Sequence, residues 1–430
     1  MGYGALGSKG PGASYFWARR DGREGAQRTP KFLGWCFQRG SFFAFLCGHP
    51  SAGLASCAAL WHGRRMRLLP LIFLLLAAHV FAGGNGALKT RHLLFITTDG
   101  FRWQEVFRGA EEPLLNKTNG GIPAEAVTGV REQFWADTPE ARRALVLPFV
   151  WSEISARGQL FGNRDAGSEM GVTNGKNFSY PGYSEFLTGH ADERIKTNKP
   201  IPNPNVNVLE WLLGRPGFAG KVAAINGWQV LPAILNRDRS QLPMWTPGVK
   251  DARDLDFPRK AELEALAADI IQPWPDEHFD AFVFAAAKSY LTATQPRVLY
   301  VNFGETDEWA HAQRYDRYLA SARHVDRWVR ELWETAQSIP EMRGTTTLVF
   351  TTDHGRGTGD LWTSHGEKIA DSGQMWLAVL GPDTPPLGER KNAAPVWQAQ
   401  TAATLARLLG EDYRAAVPEA AEPLAEVFPK

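Results

Sequence analysis

HLLFITTDG (residues 92–100) and TTTLVFTTDHG (residues 345–355) are built alike: a short run of β-branched and apolar residues that stops at an Asp. Such a run, without polar alternation, reads as a strand buried on both faces of a parallel sheet. Asp-Gly and Asp-His-Gly then mark the turn by which the chain leaves the sheet. Open α/β folds gather ligands at that edge, so Asp99, Asp353 and His354 stand where chemistry is expected. Further apolar runs, KVAAIN (221–226), RVLYVNF (297–303) and QMWLAVLG (374–381), alternate with helix-like segments. The alternation predicts a layered α/β fold with a mainly parallel central sheet flanked by helices.

In YPGYSEFLTG (180–189), Pro181 falls near a first helical turn and Gly189 just past the last. Ser179 is therefore placed immediately before a helix N-terminus. Other helices are expected at 208–215, 261–271, 280–291 and 396–410. One long amphipathic helix is expected from about Glu308 to Gln337, and a helix-like stretch over 137–158. No repeat, low-complexity tract or Gly/Ser linker interrupts the chain. Residues 83–430 thus read as one large domain, with cap-like insertions near 110–175 and 228–292.

The N-terminal part differs in kind. RLLPLIFLLLAAHVFA (67–82) is an apolar block behind Met66 and the basic Arg64, Arg65 and Arg67, with small residues at its end. This is the layout of a secretory signal peptide, and it falls short of the roughly 20 residues that span a membrane. Residues 66–82 are expected to be the signal and residues 1–65 an upstream extension that is disordered and not native. All three cysteines, Cys36, Cys47 and Cys57, lie in that extension, so no thiolate is available beyond residue 83. The remaining chain carries 37 basic against 44 acidic residues, a net of −7. That balance offers no nucleic-acid-binding patch. A periplasmic or secreted protein with no membrane span in its mature chain is expected; nothing in the sequence sets an oligomeric state.

Asp307 and His311 are spaced i, i+4 at a helix start, on one face and able to grip one metal. Asp353 and His354 are adjacent on a strand-ending turn, and His365 follows between Ser364 and Gly366. Carboxylate and imidazole ligands without thiolate suit Zn²⁺, with Mn²⁺ as the alternative. Ser179 would be the nucleophile, activated by a metal bound to its oxygen and aided by the helix N-terminus behind it. Two closely spaced ions can hold the attacking and leaving oxygens of an in-line displacement. Walker-type phosphate loops and a G-x-S-x-G elbow are absent.

These motifs resemble the alkaline phosphatase superfamily, in its nucleotide pyrophosphatase/phosphodiesterase-like branch. DGFR (99–102) is similar to that branch's first metal motif. SYPGYSEFLTG (179–189) is similar to its nucleophile segment, T-F-P-N-H-Y-S-x-x-T-G, with Gly182-Tyr183 where Asn-His is usual. The resemblance implies one zinc on Asp307, His311 and His365. It implies a second on Asp99, Asp353, His354 and the Ser179 oxygen. Asn198, with Asn203 as the fallback, would bind the phosphoryl oxygen.

The expectation is an exported two-metal hydrolase of small-molecule phosphate esters, working through a phosphoseryl intermediate on Ser179. A slight preference for diesters or nucleotide-type substrates is expected, because no Arg that could handle a monoester's extra charge stands out. A phosphomonoesterase or phosphomutase of the same superfamily, or a surface binding protein without turnover, are the alternatives. A sulfatase is disfavoured because Ser179 does not begin a Cys/Ser-x-Pro-x-Arg motif.

Overall fold

The structure, a computed structural model, describes residues 87–429. The expected upstream extension and signal segment lie outside the described residues. Ten strands occur among the described residues: β1 (His92–Thr98), β2 (Gln159–Phe161), β3 (Met170–Gly171), β4 (Val222–Asn226), β5 (Met244–Trp245), β6 (Val298–Phe303), β7 (Thr346–Thr352), β8 (Leu377–Leu380), β9 (Gly388–Glu389) and β10 (Val396–Trp397). Eight form one sheet in the order β5-β4-β6-β1-β7-β8-β2-β9, and β10 pairs with β3 separately. The pairs from β5 to β7 are all parallel, and β8 alone runs against its neighbours.

Strands β1, β4, β6 and β7 are buried and mostly apolar because helices cover both faces. Along β1, Leu94 and Ile96 enter one core with Val283, Ala287, Leu319 and Val329 from the helices Asp280–Thr294 and Tyr315–Ser338. Leu93 and Phe95 enter the other with Tyr183, Phe186 and Leu209 from Ser179–Thr188 and Val208–Leu213. Each fully buried side chain of this size contributes roughly 1.5–3 kcal/mol, which makes this three-layer packing the main source of stability.

The segments expected as insertions are woven into these layers. Leu114, Ile122, Phe134 and Val146 join the first core. The stretch 228–292 supplies edge strand β5 and the helix that crosses back to β6. No helix among the described residues is long and apolar enough to cross a membrane.

Two helices break where the sequence suggested continuity. The expected 308–337 helix is two, Glu305–His311 and Tyr315–Ser338, with Gln313 between them at φ 52°. The bend lets Tyr315 and Tyr318 turn inward, where their hydroxyls meet the Glu105 carboxylate at 2.9 and 3.3 Å. The 137–158 stretch breaks after Val146, ahead of Pro148, which has no N–H to continue a helix. Asp326 Oδ2 and Oδ1 accept instead from Phe149 N and Val150 N, at 2.8 and 3.0 Å.

The helix Ser179–Thr188 is buried along all ten residues and lies hard against the end of β7. A Cβ at Gly182 would stand 2.4 Å from the Asp353 carbonyl oxygen. Helix propensity favours Ala over Gly by about 1 kcal/mol, yet Gly182→Ala should destabilise the fold by about 1–3 kcal/mol through overpacking. Gly129→Ala, where a Cβ meets nothing within 4 Å, should be stabilising instead. Urea unfolding of both variants checks the pair, and a stabilised Gly182→Ala protein would contradict the close approach.

Candidate metal centre

Strands β6, β1 and β7 are neighbours, so their C-terminal ends lie side by side, and each end delivers candidate ligands. Asp99 follows β1, with its N–H continuing the ladder to Phe303 O at 2.9 Å. Asp353 and His354 follow β7; Asp307 and His311 sit on the short helix that follows β6. Gly100 N donates to Asp353 Oδ1 at 2.9 Å, and Thr306 Oγ1 donates to the Asp99 carbonyl at 2.5 Å, tying the three ends together. Gly100 turns at φ 57°, and a Cβ there would meet Asp307 Oδ1 at 2.3 Å. Only glycine leaves room for that carboxylate.

Two constellations result. In the first, His354 Nε2 lies 3.3 Å from Asp99 Oδ1 and 3.4 Å from Asp353 Oδ2. In the second, His311 Nε2 lies 2.9 Å from Asp307 Oδ2 and 3.0 Å from His365 Nε2. Asp307 Oδ1 links them, 3.9 Å from His354 Nε2 and 3.8 Å from His365 Nε2. Carbonyl oxygens beyond the site orient two of the imidazoles. His354 Nδ1 faces Gly355 O at 2.8 Å and His365 Nδ1 faces Asn177 O at 3.3 Å. A carbonyl only accepts, so both rings carry the proton on Nδ1 and offer Nε2 as a ligand atom.

The buried oxygens Asp99 Oδ1 and Asp353 Oδ2 have no hydrogen-bond partner. Unpaired buried carboxylate oxygens cost several kcal/mol unless a cation or proton meets them. Burial, then the neighbouring Asp307, pushes the Asp99 pKa well above the usual range; burial, then Asp99, does the same to Asp353. Burial also acts upward on Asp307, but the Arg356 guanidinium, His365 and His311 together outweigh it and hold its pKa well below. Burial, then His354, pushes the His365 pKa down to about 2. Asp99, Asp353 and His354, with their orphaned carboxylate oxygens, and Asp307 with His365 and the shared His354 form two all-N/O donor sets that fit divalent cations, and His311 stands beside the second.

Ser179 is the first residue of its helix, one place inside the expected position, and its Oγ lies 3.4 Å from His354 Nε2. The helix offers fewer backbone donors than expected. Tyr180 N donates to Asn198 Oδ1 at 2.9 Å, Pro181 has no N–H, and Gly182 N donates to Phe178 O at 3.0 Å. Asn198 is thus beside the serine, with its carbonyl oxygen committed to the helix. Asn203 is buried away from it, its Nδ2 donating to Ser184 Oγ at 3.0 Å.

Two residues of the site, Tyr183 and Arg356, carry no expected role from the sequence. Tyr183, one turn after Ser179, donates to Asp99 Oδ2 at 2.9 Å and accepts from Asn302 Nδ2 at 2.6 Å. Arg356 is buried and hydrogen-bonds Asp307 Oδ1. The i+4 spacing of Tyr183 from Ser179 was a readable signal, whereas Arg356 carries none in its neighbourhood of the sequence. Arg102, by contrast, is a structural cation, paired in the interior with Glu105 and Glu111.

A family model described as type I phosphodiesterase / nucleotide pyrophosphatase matches residues 171–406, more than half of the chain. The chain belongs to this family. The match begins after Asp99, which only the fold brings to the other ligands. Among solved structures, wild-type alkaline phosphatase PafA is 9% identical, covering 79% of this chain and 99% of that one with a TM-score of 0.51. An alkaline phosphatase superfamily protein from Vibrio parahaemolyticus is 12% identical, covering 78% and 71%, with a TM-score of 0.45. The lipoteichoic acid synthase LtaP from Listeria monocytogenes is 10% identical, covering 76% and 74%, with a TM-score of 0.47. At such identities the likeness to PafA speaks for the fold alone. No curated protein is similar enough in sequence to match.

The electrostatics set a pH test for this phosphodiesterase-family chain. Asp99 and Asp353 ionise less readily folded than unfolded. Above the ordinary carboxylate pKa of about 4, the metal-free folded state therefore holds more protons than the unfolded chain. Stability from this pair is present at low pH and lost as pH rises. The melting temperature of chelator-treated protein should fall from pH 5 to pH 8, and added divalent cation should restore it. Asp353→Asn should flatten the slope of the metal-free protein.

Proposed function

We propose that this chain is an exported two-zinc hydrolase that cleaves phosphate esters through a phosphoseryl intermediate on Ser179. The observation that carries the reading is the hydroxyl of Ser179 at a helix start, 3.4 Å from His354 Nε2, over two Asp/His constellations of which the first is buried. Asp99, Asp353 and His354 would hold one ion with the Ser179 oxygen, and Asp307, His311 and His365 the other. Bound zinc would supply Lewis acidity, easing loss of the Ser179 proton and neutralising charge on the leaving oxygen.

Ser179 Oγ then attacks phosphorus as the bond to the leaving oxygen breaks. Asn198, held next to Ser179 by the hydrogen bond its Oδ1 accepts from Tyr180 N, would orient the phosphoryl oxygens through its Nδ2. Water cleaves the phosphoseryl ester in a second displacement, so configuration at phosphorus is retained overall. Manganese is the alternative metal.

Diester or nucleotide-type substrates are favoured over monoesters. A monoester brings an additional negative charge, and the nearby arginine does not face substrate. Arg356 spends its donors on Trp362 O at 3.1 Å, Thr363 O at 2.5 Å and the Asp307 carboxylate. A sulfatase reading is disfavoured because Tyr183 fills the place of the motif's Arg and gives its hydroxyl to Asp99. The leader-like segment 66–82 supports export, and N-terminal sequencing of secreted protein tests that part.

Ser179→Ala should lower kcat by about a thousandfold or more while leaving bound metal near the unaltered level. Bis-p-nitrophenyl phosphate should be cleaved in preference to p-nitrophenyl phosphate. Near-normal turnover in Ser179→Ala would remove the nucleophile assignment, and a marked monoester preference would reverse the substrate assignment.

A further inference from the structure

The two constellations differ in charge. The first has two carboxylates, Asp99 and Asp353, with His354, and is sealed from solvent. The second has one carboxylate, Asp307, and opens to solvent at His311, whose side chain is 47% exposed. Arg356 hydrogen-bonds only this second set, although Asp99 also feels its charge more weakly. Its Nη1 hydrogen-bonds Asp307 Oδ1, the oxygen that faces both His354 and His365. Its own position is fixed by the carbonyls of Trp362 and Thr363, and it is 1% exposed. Once its carboxylates have ionised, the first set presents two negative charges to a cation, and the second, with its guanidinium, presents none.

His311 repeats the asymmetry. Its Nδ1 faces Arg356 Nη2 at 3.3 Å, whereas the corresponding atoms of His354 and His365 face carbonyls. For Nε2 of His311 to ligate a cation, Nδ1 must carry the proton, which sets one donor against another. A divalent ion in the second set also meets a fixed positive charge a few ångströms away and must share Asp307 Oδ1 with it.

Resting on the two-ion reading above, we propose that Arg356 is a positioning residue that makes the two half-sites load in order. The Asp99–Asp353–His354 set takes the first ion tightly. The Asp307–His311–His365 set takes the second roughly tenfold or more weakly, because the guanidinium already holds its only carboxylate. The ion nearest the leaving oxygen would then be the exchangeable one.

Titrating chelator-stripped full-length protein with Co²⁺, read by absorbance and by metal content after gel filtration, tests this directly. Two separated binding steps are expected, the tight one lost in Asp99→Asn and the weak one in His365→Ala. Arg356→Met should tighten the second step about tenfold or more, while Arg356→Lys, which keeps the charge, should leave it weak. A merely structural arginine would give the opposite sign, since its loss would loosen Asp307 and weaken the second step. Arg356→Gln repeats the test if the Met variant does not fold. Equal affinities in the unaltered protein, or an unchanged or weaker second step without the charge, would overturn the proposal. Absence of any bound ion would instead remove the metal centre itself.

Discussion

Asp99, Asp353 and Asp307 are held buried at the ends of three adjacent strands, close enough to repel one another. The ligand oxygens of Asp99 and Asp353 lie within 4.8 Å of each other. Two unit charges at that separation repel by on the order of 3–4 kcal/mol at an effective dielectric of 20. That is a sizeable fraction of a domain's net stability. A sheet that places carboxylates in this way can be tolerated only where protons or cations meet them. The raised pKa values of Asp99 and Asp353 are the proton's answer to the problem, and a divalent ion is the stronger one. Asp307 is met differently, by the guanidinium of Arg356.

Much of the surrounding structure holds these groups in place against that repulsion. Thr306 ties the β1 turn to the helix after β6, and Gly100 N ties it to β7. Gln398 Nε2 reaches the Asp353 carbonyl at 2.7 Å from the far side. The serine-bearing helix is anchored by Glu185, buried and accepting from Thr173 N and Asn174 N at 2.9 Å each. Such rigid support matters because displacement chemistry depends on placing a nucleophile within a fraction of an ångström of its line of attack.

The parallel sheet and every metal-ligand candidate were legible in the sequence, for a shared reason. A strand buried on both faces has little choice but to be apolar, and the polar residue that ends it stands out. The strand-end motifs at Asp99 and Asp353 are that signal in its plainest form. The helix break at Gln313 was not legible, because 308–337 keeps an amphipathic pattern across the bend. What bends it is the distant Glu105, which demands the hydroxyls of Tyr315 and Tyr318. Asn198 shows the same limit. The resemblance pointed to Asn198, which lies beside the serine's helix, but whether its oxygen would serve the helix or a ligand is decided by Tyr180 N. Arg356 was overlooked because an Arg beyond a ligand motif is ordinarily solvated; nothing local announces that it turns inward.

Tyr183 shows how one side chain can join fold to chemistry. Burial, then Asp353, pushes its pKa well above the usual phenol value, so it remains a donor at any working pH. It donates to Asp99 Oδ2 and accepts from Asn302 Nδ2, which also donates to Thr97 Oγ1 at 3.1 Å. This chain of polar groups runs across β6 and β1 directly beneath the site. With Oδ2 engaged below, Asp99 has only Oδ1 to present upward beside His354 Nε2. Because Tyr183 lies one helical turn after Ser179, the same contact sets the distance between the serine's helix and the first constellation. The residue that departs from the usual Asn-His of the motif thereby fixes both the nucleophile candidate and the carboxylate it works with, so its replacement cannot be neutral to either.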